Sequence, residues 1–239
     1  MKIALIGYGK MGKAIEQIAL LRGHQIVLKI GSQNQDEFTS EHLQKADVCI
    51  EFSKPDTAFH NVSKCLQAGI PTLCGTTAWL DKLPEAQAIC QAHQSAFLYA
   101  SNFSIGVNLF FEINKLLSRL MANQLSYTPS IEEIHHTHKK DAPSGTAITL
   151  AEQILQYSTH LNHWHNHEHQ VEGSLPIHSL RIDPAPGTHR IAWHSPIDSI
   201  EITHTAHTRE GFASGAVMAA EFLAGKKGIY TMQDVLQLD

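Results

Sequence analysis

Short apolar runs and helical patterns alternate through the first hundred residues. Apolar residues recur at helical spacing after the first, third and fourth runs, and Gly23 and Gly69 follow the first two of these helices as stop positions. This alternation predicts an α/β fold with a Rossmann-like, doubly wound parallel sheet. The five predicted strands cover residues 2–6, 25–30, 46–52, 70–74 and 96–99.

The pattern changes after residue 104. Residues 105–121 have the spacing of a long amphipathic helix, and strand-like runs separated by prolines dominate 177–207. A helical pattern returns at 211–223 and again at 231–238. The later half therefore predicts a second, α+β domain built on a mixed sheet. The predicted domains are 1–104 plus 212–239, and 105–211.

Composition and charge narrow the function classes. The 239 residues carry a net charge of −5, with 43% hydrophobic and 17% charged residues, which is typical of a soluble globular protein and argues against nucleic-acid binding. We expect neither a signal peptide nor a membrane span, because no apolar run reaches about 18 residues. Four cysteines without a C-x-x-C pair favour buried free thiols in a reducing cytosol.

A glycine fingerprint joins the first predicted strand to its helix. Gly7, Gly9 and Gly12 have the G-x-G-x-x-G spacing of turns that bring the backbone close to a dinucleotide pyrophosphate. The alternative is a glycine-rich turn without a ligand. The ribose-binding acid expected after the second strand is absent, and nearby Lys29 and Ser32 favour NADPH weakly. The fingerprint therefore predicts NADPH or NADH as the cofactor.

The most informative stretch is a basic cluster followed by a predicted helix N-terminus. His135, His136 and Lys139 come at the end of a predicted strand, and Gly145 and Thr146 open a helical pattern. Histidine exchanges protons near neutral pH, and the free N–H groups of a helix N-terminus bind anions. The stretch therefore predicts a site that binds an anionic small molecule and protonates it.

Two other interpretations of this stretch compete. It is an ordinary basic loop if Ser144 serves only as a helix N-cap. His136 and His138 would share one face of an extended strand, with Asp141 nearby, which suggests a metal site. Because the two adjacent lysines would repel a cation, we expect no metal there.

A second histidine-rich segment lies at 158–170. It shows neither a strand nor a helix pattern, so we predict a mobile loop, with metal binding as the lesser alternative. Its histidines are His160, His163, His165, His167 and His169.

Several motifs, spread over nearly the whole chain, point to one family. The most specific is H-H-T-H-K-K-D-A-P-S-G-T-A at 135–147. The others are G-Y-G-K-M-G at 7–12, C-G-T-T at 74–77, A-S-N-F-S-I-G-V-N at 100–108, E-I-T-H at 201–204 and G-A-V-M-A-A-E-F-L-A-G-K-K-G-I-Y at 215–230. Together they resemble the 4-hydroxy-tetrahydrodipicolinate reductase (dihydrodipicolinate reductase) family. The proline-broken segment 181–187 departs from many members, and we assign no ligand contact to it.

The resemblance implies a role for each matching position. His135 would donate or accept the proton, and Lys139 would be the second proton-donating or carboxylate-holding group. His136 would contact the substrate, and Gly145 and Thr146 would bind a substrate carboxylate. The positions implied for the cofactor are Gly7, Tyr8, Gly9, Lys10, Met11 and Gly12 at the pyrophosphate, and Gly75, Thr76, Thr77, Ala100, Ser101, Asn102 and Phe103 near the nicotinamide.

The resemblance also implies an activity. An NADPH- or NADH-dependent reductase of this family would act on a cyclic dicarboxylate in lysine biosynthesis through diaminopimelate, as a cytoplasmic homotetramer. Its first domain would bind the dinucleotide, and its second would bind the substrate and join the subunits, with closure between them. The rivals are another Rossmann-fold reductase and a non-catalytic NAD(P)H-sensing regulator. An acylating aldehyde dehydrogenase needs a nucleophilic cysteine, and the second half contains none.

Overall fold

The computed structural model of the chain describes residues 1–166, 171–208 and 210–238. It divides into two compact units: the first unit is Met1–Ile105 with Glu210–Asp239, and the second unit is Gly106–Arg209. The dinucleotide-binding role of the first unit and the substrate-binding role of the second stay predictions. Within the described ranges, none of the helices has the length and apolar character needed to cross a membrane.

Six parallel strands form the sheet of the first unit. Numbered along the chain, they are β1 (Lys2–Ile6), β2 (Gln25–Ile30), β3 (Val48–Glu51), β4 (Thr72–Cys74), β5 (Ala96–Tyr99) and β11 (Gly228–Tyr230). Their order across the sheet is β11-β5-β4-β3-β1-β2. Strand β2 is added on one side of β1 and β3 to β5 on the other, so the order of strand addition reverses between β1 and β3. The helices of this unit are α1 (Lys10–Leu21), α2 (Ser40–Leu43), α3 (Pro55–Gln67), α4 (Leu83–Ala92), α7 (Glu210–Leu223) and α8 (Met232–Leu236).

Strand β1 shows why helices cover both faces of this sheet. Ile3 and Leu5 point to one face and pack in a core with α1 and α7, whereas Ala4 and Ile6 point to the other and pack with α2 and α3. All four side chains are buried. A strand buried on both faces is a continuous apolar run, which is the pattern that predicted it. The Rossmann-like, doubly wound sheet is therefore confirmed.

The second unit contains a five-stranded mixed sheet. Its strands are β6 (Thr128–His135), β7 (His163–His165), β8 (Ser174–Arg181), β9 (Gly187–His194) and β10 (Ser199–Ala206), and its helices are α5 (Ile105–Met121) and α6 (Gly145–Tyr157). The order is β10-β9-β6-β8-β7, with antiparallel pairs at β10-β9 and β9-β6 and parallel pairs at β6-β8 and β8-β7. The predicted mixed sheet is confirmed.

One face of this second sheet is packed and the other is open. Along β6, Ile131, Glu133 and His135 are buried, and the residues between them are half-buried. Ile131 belongs to a core that also contains apolar residues of α5, α6, β8 and β9. The same face that packs against the helices therefore carries a buried carboxylate and a buried imidazole at the end of β6.

Two short strands were not predicted. The segment 158–170 was expected to lack strands, but His163–His165 forms β7, where Trp164 pairs with Leu175 and packs against the second core. His167 and His169 lie outside the described residues. Strand β11 was also missed. Both strands are three residues long, which is too short to show a periodic pattern, and each forms because it extends an existing sheet.

The four cysteines are free and buried, as predicted. Burial raises the pKa of the Cys65 and Cys74 thiols well above the ordinary value. These thiols are therefore inert side chains of the first unit rather than nucleophiles.

A glycine of α7 provides a sharp test of the packing in the first unit. An ideal Cβ on Gly215 would lie 1.7 Å from the carbonyl oxygen of Phe103, so an added methyl group must displace backbone. We expect Gly215→Ala to lower the free energy of unfolding by about 3 kcal/mol in urea denaturation. The matched control is Gly211→Ala, whose nearest neighbour would be Ser104 Oγ at 3.6 Å and whose effect should stay below about 1 kcal/mol. Equal midpoints for the two variants would contradict this packing.

Candidate functional site

A cleft in the first unit lies at the reversal point of the sheet. It has a volume of about 380 Å³ and is bounded by the glycine loop after β1, the segment after β3 and the turn after β4. Open α/β sheets bind ligands at the carboxyl ends of strands at such a point. The lining residues are Gly9, Lys10, Met11, Phe52, Ser53, Pro55, Gly75, Thr76 and Thr77. The structure thus brings together six of the predicted cofactor residues from two motifs.

Close backbone packing explains the glycines around this cleft. Gly7 has φ +98°, and an ideal Cβ on it would lie 2.1 Å from the Phe52 carbonyl oxygen. A Cβ on Gly12 would lie 2.4 Å from the Gly7 oxygen, and one on Gly75 would lie 2.2 Å from the Phe52 ring. Gly7 and Tyr8 also donate their N–H groups to Ile30 at the end of β2. The loop conformation therefore requires glycine at positions 7 and 12, whereas a side chain at position 75 would have to displace the Phe52 ring.

Phe52 and Ser53 were not predicted as site residues, although they follow β3 at the ligand-binding edge. Ser53 donates its backbone N–H to Thr76 Oγ1 at 2.9 Å, which ties the β3 and β4 sides of the cleft together. Its hydroxyl donates to the fully buried Glu51 carboxylate, and Asn61 donates to that hydroxyl at 3.0 Å. The strand-end rule that identified Gly75–Thr77 could have found both residues.

The residues predicted to contact the nicotinamide, which follow β5, lie outside the lining of the cleft. Ala100, Ser101, Asn102 and Phe103 follow β5, the neighbour of β4, but none of them lines the cleft. Phe103 is buried, and its ring packs on that of Phe52, with centroids 5.6 Å apart. Their contact with a nicotinamide stays a prediction.

The charged side chain near the end of β2, Lys29, forms an ion pair with Glu16. Lys29 Nζ lies 3.2 Å from Glu16 Oε1 and 5.1 Å from the centre of the Tyr8 ring, and 45% of its side chain is exposed. The Tyr8 hydroxyl donates to the same Glu16 carboxylate, which lowers the pKa of Glu16. No acid stands directly after the strand, where Gly31 donates its N–H to Asn34.

A buried carboxylate organises the site in the second unit. Glu133 of β6 is fully buried, and its Oε1 accepts the Ser144 backbone N–H at 3.1 Å and Arg181 Nη2 at 3.0 Å. Its Oε2 lies 2.9 Å from His135 Nδ1. Burial alone would raise the pKa of Glu133, but the donors around it, His135 first, bring that pKa well below its ordinary value. Glu133 is therefore a carboxylate over the whole working pH range.

A second buried histidine completes this group. His189 of β9 packs its ring against that of His135, with centroids 5.1 Å apart. Burial lowers the pKa of His189 to about 3, and repulsion from His135 adds to that effect. The Nε2 atom of this ring is hydrogen-bonded to the Ser144 hydroxyl at 3.0 Å. The hydroxyl oxygen also accepts the Ala147 N–H at 3.2 Å as the N-cap of α6.

Two residues at the end of β8 hold the loop that follows His135. Arg181 donates to the backbone oxygen of Asp141 at 2.5 Å as well as to Glu133. Asp183 accepts the Thr137 N–H at 3.1 Å and the Thr137 hydroxyl at 2.6 Å, which turns the chain immediately after the strand. The predicted motif residues are thus fixed by side chains from 181–183, a segment to which the sequence had assigned no part in the site.

A turn carries the histidines that follow β6. The strand ends at His135, in agreement with the predicted strand end, so His136 and His138 do not share the strand face that the metal-site alternative needed. Their ring centroids lie 6.2 Å apart. Lys139, further along, is partly exposed and forms an ion pair with Asp141 at 2.8 Å.

The start of α6 leaves room for an anion. An ideal Cβ on Gly145 would meet no atom within 4 Å, and Thr146 beside it is half-buried. The first N–H groups of a helix have no partner inside it, and Ser144 takes only that of Ala147. A helix start of this kind can bind an anion such as a carboxylate, and the roles of Gly145 and Thr146 stay predictions.

One grouping in the described ranges has the donor set of a metal site. Glu133, His135 and His189 bring one carboxylate oxygen and two ring nitrogens within 4.8 Å of one another. The Arg181 guanidinium already lies 3.0 Å from that carboxylate, and its charge opposes a second cation. The grouping is therefore better suited to holding a proton than a metal ion.

Glu133, Arg181 and His189 were missed as functional residues. The strand alternation contained a hint for Glu133, because positions 131, 133 and 135 share the buried face and one of them is acidic. Arg181 lies 48 residues after Glu133, and His189 lies 45 residues after Ser144. Only the pairing of β6 with β8 and β9 brings them together.

Two protein-family models match the chain. One is described as the N-terminus of dihydrodipicolinate reductase and matches residues 1–103, and the other, described as its C-terminus, matches residues 106–236. A curated 4-hydroxy-tetrahydrodipicolinate reductase from Christiangramia forsetii is 50% identical over 236 residues, covering 99% of this chain and 98% of that protein. A protein of the same name from Neisseria meningitidis serogroup C is 33% identical over 232 residues, covering 94% and 84%.

A solved structure shares the fold. It is a dipicolinate-bound dihydrodipicolinate reductase from a Paenisporosarcina species, with a TM-score of 0.78 at 22% identity and 97% coverage of each chain.

The neutral His189 makes stability depend on pH. Because its pKa is about 3 in the folded protein and 6.5 ordinarily, the unfolded chain binds the extra proton first as pH falls. We expect the free energy of unfolding to fall by up to about 1 kcal/mol per pH unit below pH 6.5 from this residue. The measurement is urea denaturation at several pH values. His189→Gln should lose this part of the pH dependence of the unfolding free energy, whereas His160→Gln, at an exposed position, should keep it. Identical slopes for wild type and His189→Gln would contradict it.

Proposed function

The chain belongs to the dihydrodipicolinate reductase family, and on this premise we propose that it reduces 4-hydroxy-tetrahydrodipicolinate, through dihydrodipicolinate, to tetrahydrodipicolinate. The hydride comes from NADPH or NADH, in lysine biosynthesis through diaminopimelate. The structural observation that carries the proposal is the buried Glu133–His135 pair beside the N-terminus of α6. We place the protein in the cytoplasm, where a reducing environment keeps its buried cysteines free.

The reduction needs one proton for each hydride, and we assign that proton to His135. Loss of the substrate hydroxyl as water leaves a conjugated ring, and the reduced nicotinamide, when bound, supplies two electrons and a hydrogen to it. His135 in its imidazolium form donates a proton to the ring position that carries the added charge, and it returns to the neutral imidazole. With only 7% of the residue exposed, this proton is shielded from bulk water.

The two substrate carboxylates need N–H and cationic donors. We assign one carboxylate to the N–H groups of Gly145 and Thr146, which open α6. Lys139 and His136, on the loop fixed by Arg181 and Asp183, are assigned to the other. Charge-assisted hydrogen bonds are roughly twice as strong as neutral ones, which explains why a dianionic substrate suits this combination.

For the cofactor, we propose that both nucleotides are used, with a modest preference for NADPH. No acid stands directly after β2 to repel a 2′-phosphate, and Lys29 can bind that phosphate only in competition with Glu16. A competed ion pair at a half-exposed site contributes about 1 kcal/mol or less. The ratio of kcat/KM for NADPH and NADH should therefore stay within about tenfold.

We also propose a homotetramer joined through the open face of the second unit's sheet. Arg190 and Glu201 pair across β9 and β10 on this face at 2.5 Å, with Glu132 opposite Arg190 on β6. A face that carries both charge signs can pair with a copy of itself in closed symmetry. Sedimentation equilibrium should give four times the chain mass of 26.5 kDa, and a monomer mass would contradict this arrangement.

The proton donor provides the direct test of the reaction. We expect His135→Gln to lower turnover by about 10²–10⁴-fold with a modest change in cofactor affinity, because the variant cannot supply the proton. The measurement is NADPH oxidation with freshly generated substrate, with His138→Gln, an exposed neighbour, as the matched control.

The same assay separates the rival functions. A different Rossmann-fold reductase would leave this substrate unreduced, and a sensing regulator would bind NADPH without oxidising it. Near-normal turnover in His135→Gln would remove His135 from the mechanism.

A further inference from the structure

We infer that Glu133 sets the tautomer of His135, holding the proton of the neutral ring on Nδ1 and leaving Nε2 as the atom that exchanges the catalytic proton. This inference rests on the proposed function, because it assigns a positioning role to a residue behind the proton donor. It adds Glu133 as a positioning residue and specifies which ring nitrogen acts.

The two oxygens of Glu133 have different partners. Oε1 accepts two hydrogen bonds, from the Ser144 N–H at 3.1 Å and from Arg181 Nη2 at 3.0 Å. Oε2 lies 2.9 Å from His135 Nδ1 and 3.9 Å from His189 Nε2. The carboxylate is therefore oriented by donors from α6 and β8, and its second oxygen is directed at the imidazole.

Nδ1 of His135 and Oε2 of Glu133 are suited to pair with each other. Both atoms are buried and form no other hydrogen bond among the described residues, although the N–H direction in the structure is not aligned on the oxygen. Two complementary buried atoms at this distance are stabilised by pairing with each other, because unpaired buried polar groups are costly. An ionised carboxylate only accepts, so Nδ1 must donate.

The other nitrogen of the ring has space beside it. An ideal Cβ on Gly187 would lie 3.1 Å from His135 Nε2, so any side chain at that position would crowd this atom. Glycine at the start of β9 therefore keeps the Nε2 side open.

Among the charged and titratable groups near the His135 ring, Glu133 is the one that determines its tautomer. On β8, Arg181 is engaged by Glu133 and can only donate. On β9, His189 is neutral and bonded to Ser144. His204 of β10 and Lys139 of the loop act on His189 through their charges. No other acidic side chain of the described residues contacts the His135 ring in an ion pair.

Replacing Glu133 by glutamine gives a directional prediction. The Ser144 and Arg181 donors both require an oxygen at the Oε1 position, so the amide oxygen must occupy it. The amide NH₂ then faces Nδ1, which becomes an acceptor, and the proton of the neutral ring moves to Nε2. We expect kcat to fall by about 10²–10⁴-fold, with little change in the KM for NADPH. The ring must keep its Nδ1 proton when Nε2 gives up the catalytic one, and the amide NH₂ opposes an Nδ1–H group.

The experiment is long-range ¹H–¹⁵N correlation NMR of the imidazoles in the full-length protein. Wild type and Glu132→Gln, the matched control on the opposite face of β6, should show His135 with Nδ1 protonated. Glu133→Gln should show Nε2 protonated. The spectrum of His135→Gln assigns the resonances.

The outcomes separate this inference from the proposed function. An Nε2-protonated ring in wild type overturns the inference without any variant, even if Glu133→Gln fails to fold. A loss of kcat in Glu133→Gln with the tautomer unchanged also overturns it, because a merely structural role would produce that result. The expected tautomers in a wild type that does not reduce the substrate would support the positioning role while contradicting the proposed function.

Discussion

A fully buried carboxylate, that of Glu133, is the constraint on which the second unit's site depends. Moving such an ion out of water costs several kcal/mol unless donors replace the lost solvent. Glu133 receives donors from three separate segments: His135 on its own strand, Arg181 on β8 and the backbone of Ser144 before α6. Losing any one of them leaves charge uncompensated, so the strand pairing and the helix start are held in one arrangement by electrostatics as well as by packing.

The first unit positions its cleft by a different physical means. There, the backbone of one segment lies where a side chain of another would be, with Gly7 against Phe52 and Gly12 against Gly7, and the Phe52 ring fills the same kind of space beside Gly75. Close approach of this kind shapes the cleft without charged side chains. The two units therefore differ in what a substitution would disturb: steric fit in one and charge balance in the other.

This difference explains how much the sequence could predict. Glycine spacing and apolar runs are local, so the strands β1, β2 and β5 and the helix α5 were predicted with the bounds that the structure shows. The histidine motif was also local and indicated proton chemistry at the end of β6. The partners that orient it were not local: Arg181 and His189 reach Glu133 only through the register of β6 with β8 and β9. Composition says nothing about that register.

The two ion pairs at the end of β6 and in the loop after it differ in exposure to solvent. The pair formed by Glu133 and His135 is buried, so separating the two side chains would leave a buried polar group without its partner. The pair formed by Lys139 and Asp141 is different, since 57% of the Asp141 side chain is exposed, and such a pair contributes about 0–1 kcal/mol. An arriving carboxylate can therefore displace Asp141 from Lys139 at little cost, whereas it cannot displace Glu133 from His135. The proposed reaction needs both kinds of ion pair, one that holds a proton in a fixed orientation and one that opens to a charged substrate. The burial of β6 next to the exposed loop provides them.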